Sequence, residues 1–336
     1  MKRLYHLLIR RISIIQLCIS AGIIALLLVL AVHAAGLGFL ERLYSAASGG
    51  YIAHAIWDAC RSVIKDVILN PILYGLVLGI LVLEKLMPVD PKQKSLSSGF
   101  VQDFIWFIGD FFLQALLLIP FFIFIQFFYG QSLSEISINV PRILQLPGWV
   151  TLFLAIVLTD FCAWLAHVLQ HRIPFLWRFH AVHHSQHEMN LFTNNRFHFG
   201  DALIAYPLQI LPLYCLLIPL PHGVYYVFFR HWYPRLYHAN VRANFGILRY
   251  ILVTPQSHRL HHSSDPSHFD HNFGVIFSVW DRIFGTQYQN HHIYPDTGVD
   301  DLNFPVETHL SLWELPKNYL TQLGYPFFLG NRKVAS

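Results

Sequence analysis

Long apolar stretches separated by polar loops occupy the first half of the chain. They cover residues 12–40, 67–87, 100–129 and 147–171. A helix that crosses the hydrocarbon core of a bilayer needs roughly 20 apolar residues, and all four stretches reach that length. The pattern therefore predicts four membrane-spanning helices.

A fifth apolar region, residues 202–233, is interrupted by four prolines. A single crossing here would leave the histidines that precede and follow it on opposite faces of the membrane. Because we expect those histidines to act together, we predict that the region enters and leaves on the same side, as a hairpin or a re-entrant pair. Beyond residue 235 the chain is polar enough to lie in water or at the membrane surface.

Basic residues predict the orientation of these helices. Four Lys and Arg residues lie among the first 11 residues, directly before the first apolar stretch. Lys85 lies at the end of the second stretch, Lys92 and Lys94 follow it, and Arg172 follows the fourth stretch. Loops rich in Lys and Arg stay in the cytoplasm, so we predict an integral, multi-pass membrane protein with a cytoplasmic N-terminus. A cleaved signal peptide is the rival interpretation, but residues 12–40 far exceed the ~7–15 residues of a signal core.

The composition fits a bilayer environment and excludes several other classes of protein. Of the 336 residues, 54% are apolar and 12% are charged, which leaves too few ionic groups to cover two ordinary soluble domains. The four cysteines lack ligand spacing, so we interpret them as small buried hydrophobic residues. The net charge of +4 comes from scattered side chains rather than a basic stripe, so we expect no nucleic-acid partner.

Histidine is the residue type that points to a function. Of the 21 histidines, 17 lie between positions 167 and 292. Two of them are four residues apart at the end of the fourth apolar stretch, and two HxxHH triplets follow later in the chain. Such spacings place the imidazoles of each motif on one face of a helix. The pair is His167 and His171, the triplets are His180, His183, His184 and His258, His261, His262, and His238 is a ninth candidate.

The number of histidines predicts two metal ions. Imidazole binds Fe, Zn, Cu and Ni, so the ligand type alone does not identify the metal. A structural zinc site is filled by about four ligands, whereas eight or nine histidines fill two sites. The chain has no HExxH helix, since the string at 187–191 fails at its last position, and this disfavours zinc hydrolysis. A lone histidine in an apolar helix is usually a hydrogen-bonded core residue, but the repeated motifs favour metal binding.

At these motifs the sequence resembles the fatty acid hydroxylase / sterol desaturase superfamily of integral-membrane, non-haem di-iron enzymes. The resemblance covers about residues 149–288. It rests on HxxxH at 167–171, LWRFHAVHH at 176–184, RFH at 196–198, SHRLHH at 257–262 and VWDRIFGT at 279–286.

The resemblance implies that two iron ions bound by histidines activate dioxygen to hydroxylate or desaturate a lipid. The electrons come from a separate or fused donor. The implied ligands are the eight histidines of the pair and the triplets, with His238 matching a less regular central box. No catalytic residue beyond the metal centre is implied. We therefore divide the chain into a transmembrane region (1–146), a histidine-box catalytic region with the membrane hairpin (147–290) and a C-terminal tail (291–336).

Four polar residues are candidates for positions around the ligands. Metal-bound histidines need an acceptor for the second ring N–H. Asp160 lies seven residues before His167 on roughly the same helical face, and Asp281 lies in the VWDRIFGT run. The alternatives are a helix-helix contact for Asp160 and a helix cap or turn anchor for Asp281. Asn240 or Asn244 is a candidate for a weak or water-mediated ligand.

The reaction requires partners that the chain itself lacks. A lipid C–H bond has no acidic proton, so breaking it needs a strongly oxidising metal centre, which iron supplies and zinc does not. No nucleotide-binding fingerprint or ferredoxin-type cysteine run is present, so the electrons must come from another protein, ferredoxin- or cytochrome b5-like. Histidines at the cytoplasmic end of a membrane helix favour a membrane lipid as substrate.

The sequence predicts an all-α protein: multi-span membrane helices with a cytoplasmic-side, helical, histidine-rich catalytic cap. Two other functions stay open. A membrane di-haem electron carrier would place paired histidines across transmembrane helices at bilayer depth. A histidine-lined metal transporter would distribute its ligands through the spans.

Overall fold

The computed structural model describes residues 71–109, 145–215, 230, 232–301, 304–307 and 313–328. The chain divides into two compact units, Met1–Val82 and Leu83–Ser336. The described residues form helices and loops, and no strand occurs among them. The all-α prediction is confirmed for this part of the chain. The predicted boundaries after residues 146 and 290 stay predictions.

Seven helices are assigned within the described part of the chain. They are α1 (Pro71–Leu86), α2 (Gly148–Arg172), α3 (Pro174–His184), α4 (Phe199–Cys215), α5 (Pro255–His261), α6 (Val279–Ile283) and α7 (Glu314–Phe328). Residues 98–109 and 232–238 are also helical. Short 3₁₀ turns occupy Thr193–Asn195, Gly246–Tyr250 and Pro266–His268.

The predicted membrane spans are described to different extents. Among the described residues, α2 alone is long and apolar enough to cross a membrane, with a mean hydropathy of 2.1 over its most apolar window. It coincides with the fourth predicted span. The first span, residues 12–40, lies outside the described residues, as do most of the third and the second half of the predicted hairpin. Helix α1 lies within the second predicted span, and α4 begins three residues before the hairpin region and covers its first part.

A proline turn joins α2 to α3. Ile173 ends α2 in an extended conformation, as expected for a residue before proline, and Pro174 then occupies the first turn of α3. α3 and α4 both pack against α2. The turn therefore folds the end of α2, with its HxxxH pair, against the HxxHH triplet of α3.

A loop that follows the second triplet is fixed to α2 by two buried carboxylates. Asp160 accepts hydrogen bonds from the backbone N–H groups of Ile276 and Phe277, at 3.0 and 3.2 Å. Asp281 accepts from the indole of Trp164 at 3.0 Å and from the backbone N–H of Phe273 at 2.9 Å. The carboxylates therefore hold residues 273–281 in a defined position beside α2.

A buried ion-pair network joins segment 98–109 to two later parts of the chain. The Arg196 guanidinium contacts Asp103 at 3.2 Å and Glu307 at 2.8 Å, and both the Arg196 and Asp103 side chains are fully buried. Segment 98–109 also contributes to a cluster of buried apolar side chains: Trp106, Ala181, Val182, Phe304 and Tyr325. These contacts join segment 98–109, α3 and the C-terminal part of the chain into one core behind the histidines.

Candidate metal centre

The fold gathers the nine histidines singled out by the sequence into two adjacent groups. In each group, every histidine contributes one ring nitrogen to a set whose members all lie within 4.8 Å of one another. Group A contains His167, His171, His180, His184 and His261, and group B contains His183, His238, His258 and His262. Eight of the nine residues are buried and His171 is half-buried. The ring centroids of His184 and His262 lie 4.2 Å apart, so the two groups share a border.

Local sequence signals position these rings. α5 begins with a capping box, in which the side chain of Thr254 and the backbone N–H of Ser257 bond at 3.0 Å, and Pro255 occupies its first turn. The helix is seven residues long, just enough to direct His258 and His261 inward, and His262 caps its end. In both HxxHH triplets, adjacent histidines belong to different groups: His184 and His261 lie in group A, whereas His183 and His262 lie in group B.

Backbone carbonyl groups fix the tautomers in group A. The Nδ1 atom of His167 lies 2.8 Å from the carbonyl oxygen of Phe273, and the Nδ1 of His261 lies 2.8 Å from that of His271. A carbonyl oxygen only accepts, so each Nδ1 must carry the hydrogen and each neutral ring presents a lone pair at Nε2. These two Nε2 atoms are 3.0 Å apart. Two lone pairs repel at that distance unless a cation lies beside them.

Group B has the same excess of lone pairs. The Nδ1 of His238 donates to the carbonyl oxygen of Pro234 at 2.8 Å, which leaves its Nε2 as an acceptor. That Nε2 lies 2.8 Å from Nε2 of His258 and 3.2 Å from Nε2 of His183, and Nε2 of His262 lies 3.0 Å from that of His258. A neutral imidazole has one N–H hydrogen, so four converging Nε2 atoms cannot all satisfy one another.

Several other ring nitrogens are buried without a hydrogen-bond partner. They include Nε2 of His171 and His184 and both ring nitrogens of His180. A buried polar atom without a partner is costly, and native proteins keep few of them. Convergent, partnerless imidazole nitrogens are the donor set that a borderline transition metal binds. The residues present therefore fit two metal ions, one in each group.

Burial keeps these rings neutral. It lowers the pKa of His238 and of His261 to about 3. Burial, followed by the neighbouring imidazoles, also holds the pKa values of His183, His258 and His262 well below the ordinary value. The neutral ring is the form that binds a metal.

We expect the metal-free protein to lose stability as the pH falls below about 6.5. An unfolded histidine binds a proton near pH 6.5, whereas His238 and His261 in the folded protein do so only near pH 3. Between these values the unfolded state binds more protons, so each such group lowers the free energy of unfolding by about 1.4 kcal/mol per pH unit. Thermal unfolding of chelator-treated protein at pH 7.5 and 5.5 measures the effect.

Two variants, His261→Gln and His292→Gln, test whether the buried histidines cause this pH dependence of stability. Removing the buried His261 should flatten it, whereas removing the exposed His292 should not. An unfolding temperature that is equal at the two pH values in the unsubstituted protein would contradict the neutral, buried histidines.

The two candidate carboxylates, Asp160 and Asp281, contact the loop that bonds to a histidine ring, not the ring itself. The Phe273 carbonyl accepts the Nδ1 hydrogen of His167, and Asp281 holds the backbone N–H of the same Phe273. Asp160 holds the following turn through Ile276, Phe277 and the indole of Trp280, at 2.9 Å for the indole. Both residues thus position the loop that orients a ligand ring.

The two predicted asparagines have backbone partners. The side chain of Asn240 accepts from the N–H groups of Val89 and Asp90 at 3.1 and 3.0 Å. It also donates to the carbonyl of Asp90 at 2.9 Å. The side chain of Asn244 donates to the carbonyl of His291 at 3.3 Å. A ligand role for either residue stays a prediction.

Three orienting groups were missed at the level of sequence: the carbonyls of Pro234, Phe273 and His271. A carbonyl belongs to every residue, so no residue type marks the ones that face a ring. His198, which lies in the RFH motif, donates from Nε2 to the carbonyl of Leu323 at 2.9 Å and accepts from the N–H of Gly200. It therefore joins α7 to the start of α4 and does not belong to either group.

A cavity of about 90 Å³ opens beside both groups. Histidines from group A (His167 and His180) and from group B (His183, His238 and His258) form one side of it. Polar side chains from α4 and from the region around residue 230 form much of the rest. A molecule in this cavity would lie next to both sets of rings.

The histidine region matches a known family. Residues 152–286 match the family model for fatty acid hydroxylases. No solved structure matches the chain.

Curated relatives carry out oxidations of lipids according to their names. The ornithine lipid hydroxylase OlsE of Rhizobium tropici is 33% identical over 56% of this chain and 54% of its own length. The alkylglycerol monooxygenase of Homo sapiens is 34% identical over 41% of this chain and 30% of its own length. The lathosterol oxidase of Mus musculus is 32% identical over 41% and 46%, respectively. The chain spans about half or less of the length of these relatives.

Proposed function

We propose that this chain, whose residues 152–286 match the family model for fatty acid hydroxylases, belongs to the fatty acid hydroxylase and sterol desaturase superfamily and is a membrane-bound non-haem di-iron oxidoreductase. It uses O2 and external electrons to hydroxylate or desaturate a C–H bond of a lipid or sterol-like substrate. The observation that carries the proposal is the pair of facing lone pairs on His167 and His261, which need a cation beside them.

Each histidine group would hold one iron. Bound iron supplies the oxidising power that an unactivated C–H bond requires. The chain's own residues hold the rings: the carbonyls of Phe273, His271 and Pro234 fix three tautomers, and the core behind α3 keeps the triplet in place. Because all the candidate ligands are neutral imidazoles, the site would keep the full positive charge of its metals.

The names of the relatives support a lipid as the substrate, and we infer a separate protein as the electron donor. The names of the relatives specify ornithine lipid, alkylglycerol and lathosterol, which are all lipids. We infer a lipid substrate for this chain as well. The described part of the chain holds no cluster of cysteines, so the electrons would come from a separate ferredoxin- or cytochrome b5-like protein.

Exposed apolar side chains support a position at the membrane. The 3₁₀ turn Gly246–Tyr250 exposes Ile247, at 80%, and Leu248, and α6 exposes Ile283 with the adjoining Phe284. The Phe284 ring stacks on Trp164 of α2 at 4.5 Å, so this apolar surface adjoins the helix that is apolar enough to span a bilayer. We infer a multi-pass protein whose histidine groups face the cytoplasm just outside the hydrocarbon.

A fluorophore at residue 247 tests this position. We expect a probe on Ile247→Cys to be quenched strongly by lipids that carry a nitroxide near the headgroup. A probe on Asn290→Cys, an exposed polar position, should be quenched weakly. Equal quenching at the two positions would contradict the interfacial placement of this surface.

Lipid mass spectrometry tests the activity. Lipids from cells that produce the protein should contain a species with one additional oxygen atom or with two fewer hydrogen atoms, and cells that produce the His183→Ala variant should lack it. Identical lipid profiles in cells with the intact protein and with the variant would refute an oxidation of membrane lipids.

The two alternative functions draw no support from the geometry. A haem iron binds two axial rings and needs an open plane for the macrocycle, whereas four or five imidazoles converge in each group here. A transport path requires ligands that are spaced along the membrane helices, but all nine rings lie together. A Soret absorption band or metal uptake by vesicles would reverse this ranking.

A further inference from the structure

We propose that the cavity beside the two histidine groups contains a subsite for the anionic oxygen atoms of the substrate, with Arg230 and Gln209 as the recognising donors. The inference rests on the proposed function and specifies its substrate class. Both side chains line the same cavity as His167, His183 and His238. A group held by these donors therefore lies next to the rings.

Both donors have unused hydrogen-bonding capacity. Gln209 is 4% exposed, and its Nε2 atom has no hydrogen-bond partner. The Nε atom of Arg230 is buried and has no hydrogen-bond partner either. Buried donors without acceptors are costly, so each one calls for a water molecule, an ion or a ligand that satisfies it. Two such donors on one small cavity indicate that its ligand supplies acceptor oxygens.

The charge of the cavity favours an anion. Arg230 carries a permanent positive charge, and none of the described residues that line the cavity is acidic. The carboxylate of Asp201, which is not among the lining residues, accepts from the Gln170 amide at 2.8 Å and lies 3.6 Å from His180. A guanidinium recognises carboxylate and phosphate better than a neutral group. The cavity therefore suits a carboxylate or a phosphate.

The size of the cavity sets how the substrate enters. Its volume of about 90 Å³ is well below the ~300–1,000 Å³ typical of pockets that enclose a drug-sized ligand. It accommodates a small polar group together with the adjoining carbons, and the rest of a lipid must extend beyond it. Because the donors and the rings share this space, the oxidised C–H bond lies close to the anionic group and not in the middle of an acyl chain.

Binding of single-chain amphiphiles tests the subsite. Decanoate, decyl phosphate and 1-decanol share one tail and differ in the polar group. We expect the iron-loaded full chain in neutral-lipid nanodiscs to bind one of the two anions at least about tenfold more tightly than 1-decanol, as measured by calorimetry. The tighter anion identifies carboxylate or phosphate as the group that the subsite recognises. Equal binding of all three amphiphiles would overturn the proposal.

Substitutions in the cavity test whether its residues cause the tighter binding of the anion. Arg230→Gln should abolish the difference between anion and alcohol, Arg230→Lys should retain part of it, and Gln209→Leu should weaken anion binding by a smaller factor. Arg242→Gln removes an exposed arginine that does not line the cavity and should leave the preference intact. An undiminished anion preference in both Arg230→Gln and Gln209→Leu would refute the subsite.

Repeating the titration with metal-free protein separates this inference from the proposed function. A preference that depends on Arg230 in metal-free protein supports the subsite even if the chain oxidises no lipid. A chain that holds iron and oxidises lipid, but has no preference dependent on Arg230, retains its function and refutes the subsite.

Discussion

Replacing His261 or His183 by alanine is expected to abolish lipid oxidation and to lower the iron content from about two ions per chain to about one or fewer. The two residues belong to different groups, so each substitution opens one of the two sites. In the His261→Ala variant, His167 loses the Nε2 atom that it faces at 3.0 Å. Iron analysis of the purified protein, together with a turnover assay, measures both effects.

The control for these substitutions is His292→Ala, which removes an exposed histidine outside both groups. It should leave the iron content and the turnover unchanged. The alanine variants should still insert into the membrane, because the helices that would span it do not depend on either ring. Normal iron content and normal turnover in both alanine variants would refute the assignment of the two groups as metal sites.

Replacing Asp281 by alanine is expected to weaken metal binding through the loop that orients His167. Asp281 accepts from Trp164, from the N–H groups of Phe273 and Gly274, and from the hydroxyl of Thr286 at 2.6 Å. Each buried donor that loses its acceptor costs about 1–3 kcal/mol of stability. Loss of a group that orients a ligand typically lowers metal affinity by about 10–100-fold. Thermal unfolding and iron titration report the two effects separately.

Two further variants keep this prediction testable if Asp281→Ala does not fold. Asp281→Asn retains one acceptor oxygen, so it should fold while its iron affinity still decreases. Asp300→Ala removes an exposed carboxylate elsewhere and should behave like the unsubstituted protein. If Asp281→Asn and Asp281→Ala both bound iron with normal affinity, the loop would not orient the ligand ring.

The histidines could be singled out from the sequence because helical spacing carries over directly into geometry. A pair at i, i+4 or a triplet at i, i+3, i+4 faces one side whatever the rest of the fold does. The isolated His238 has no such spacing, yet its Nε2 atom lies 2.8 Å from Nε2 of His258. The way the triplets divide between the groups did not follow from spacing, because it depends on how the ends of α3 and α5 meet.

Contacts between distant parts of the chain were beyond sequence reasoning. Asp281 bonds to Trp164 across 117 positions, and Arg196 pairs with Asp103 and Glu307 across 93 and 111. No periodicity links such residues. The carboxylates at 160 and 281 were candidate acceptors for a ring N–H, with a helix contact or a turn anchor as the alternative. The structure gives them donors in the 273–281 loop, and the carbonyls that face the rings belong to ordinary backbone.

The apolar pattern predicted where helices lie in the sequence, but not how they are arranged in the membrane. Apolar length predicted helices at 67–87 and 147–171, and α1 and α2 occupy these regions. Length does not determine the side of the membrane or the path of the region at 202–233, of which α4 covers the first half. These features depend on contacts with lipid and among spans, which apolar length does not encode.

Anomalous diffraction at the iron absorption edge, from crystals of the iron-loaded protein, tests the central claim most directly. We expect two iron peaks, one among the rings of His167, His171, His180, His184 and His261 and one among those of His183, His238, His258 and His262. A single peak, peaks outside these rings, or a signal that appears at the zinc edge instead would contradict it.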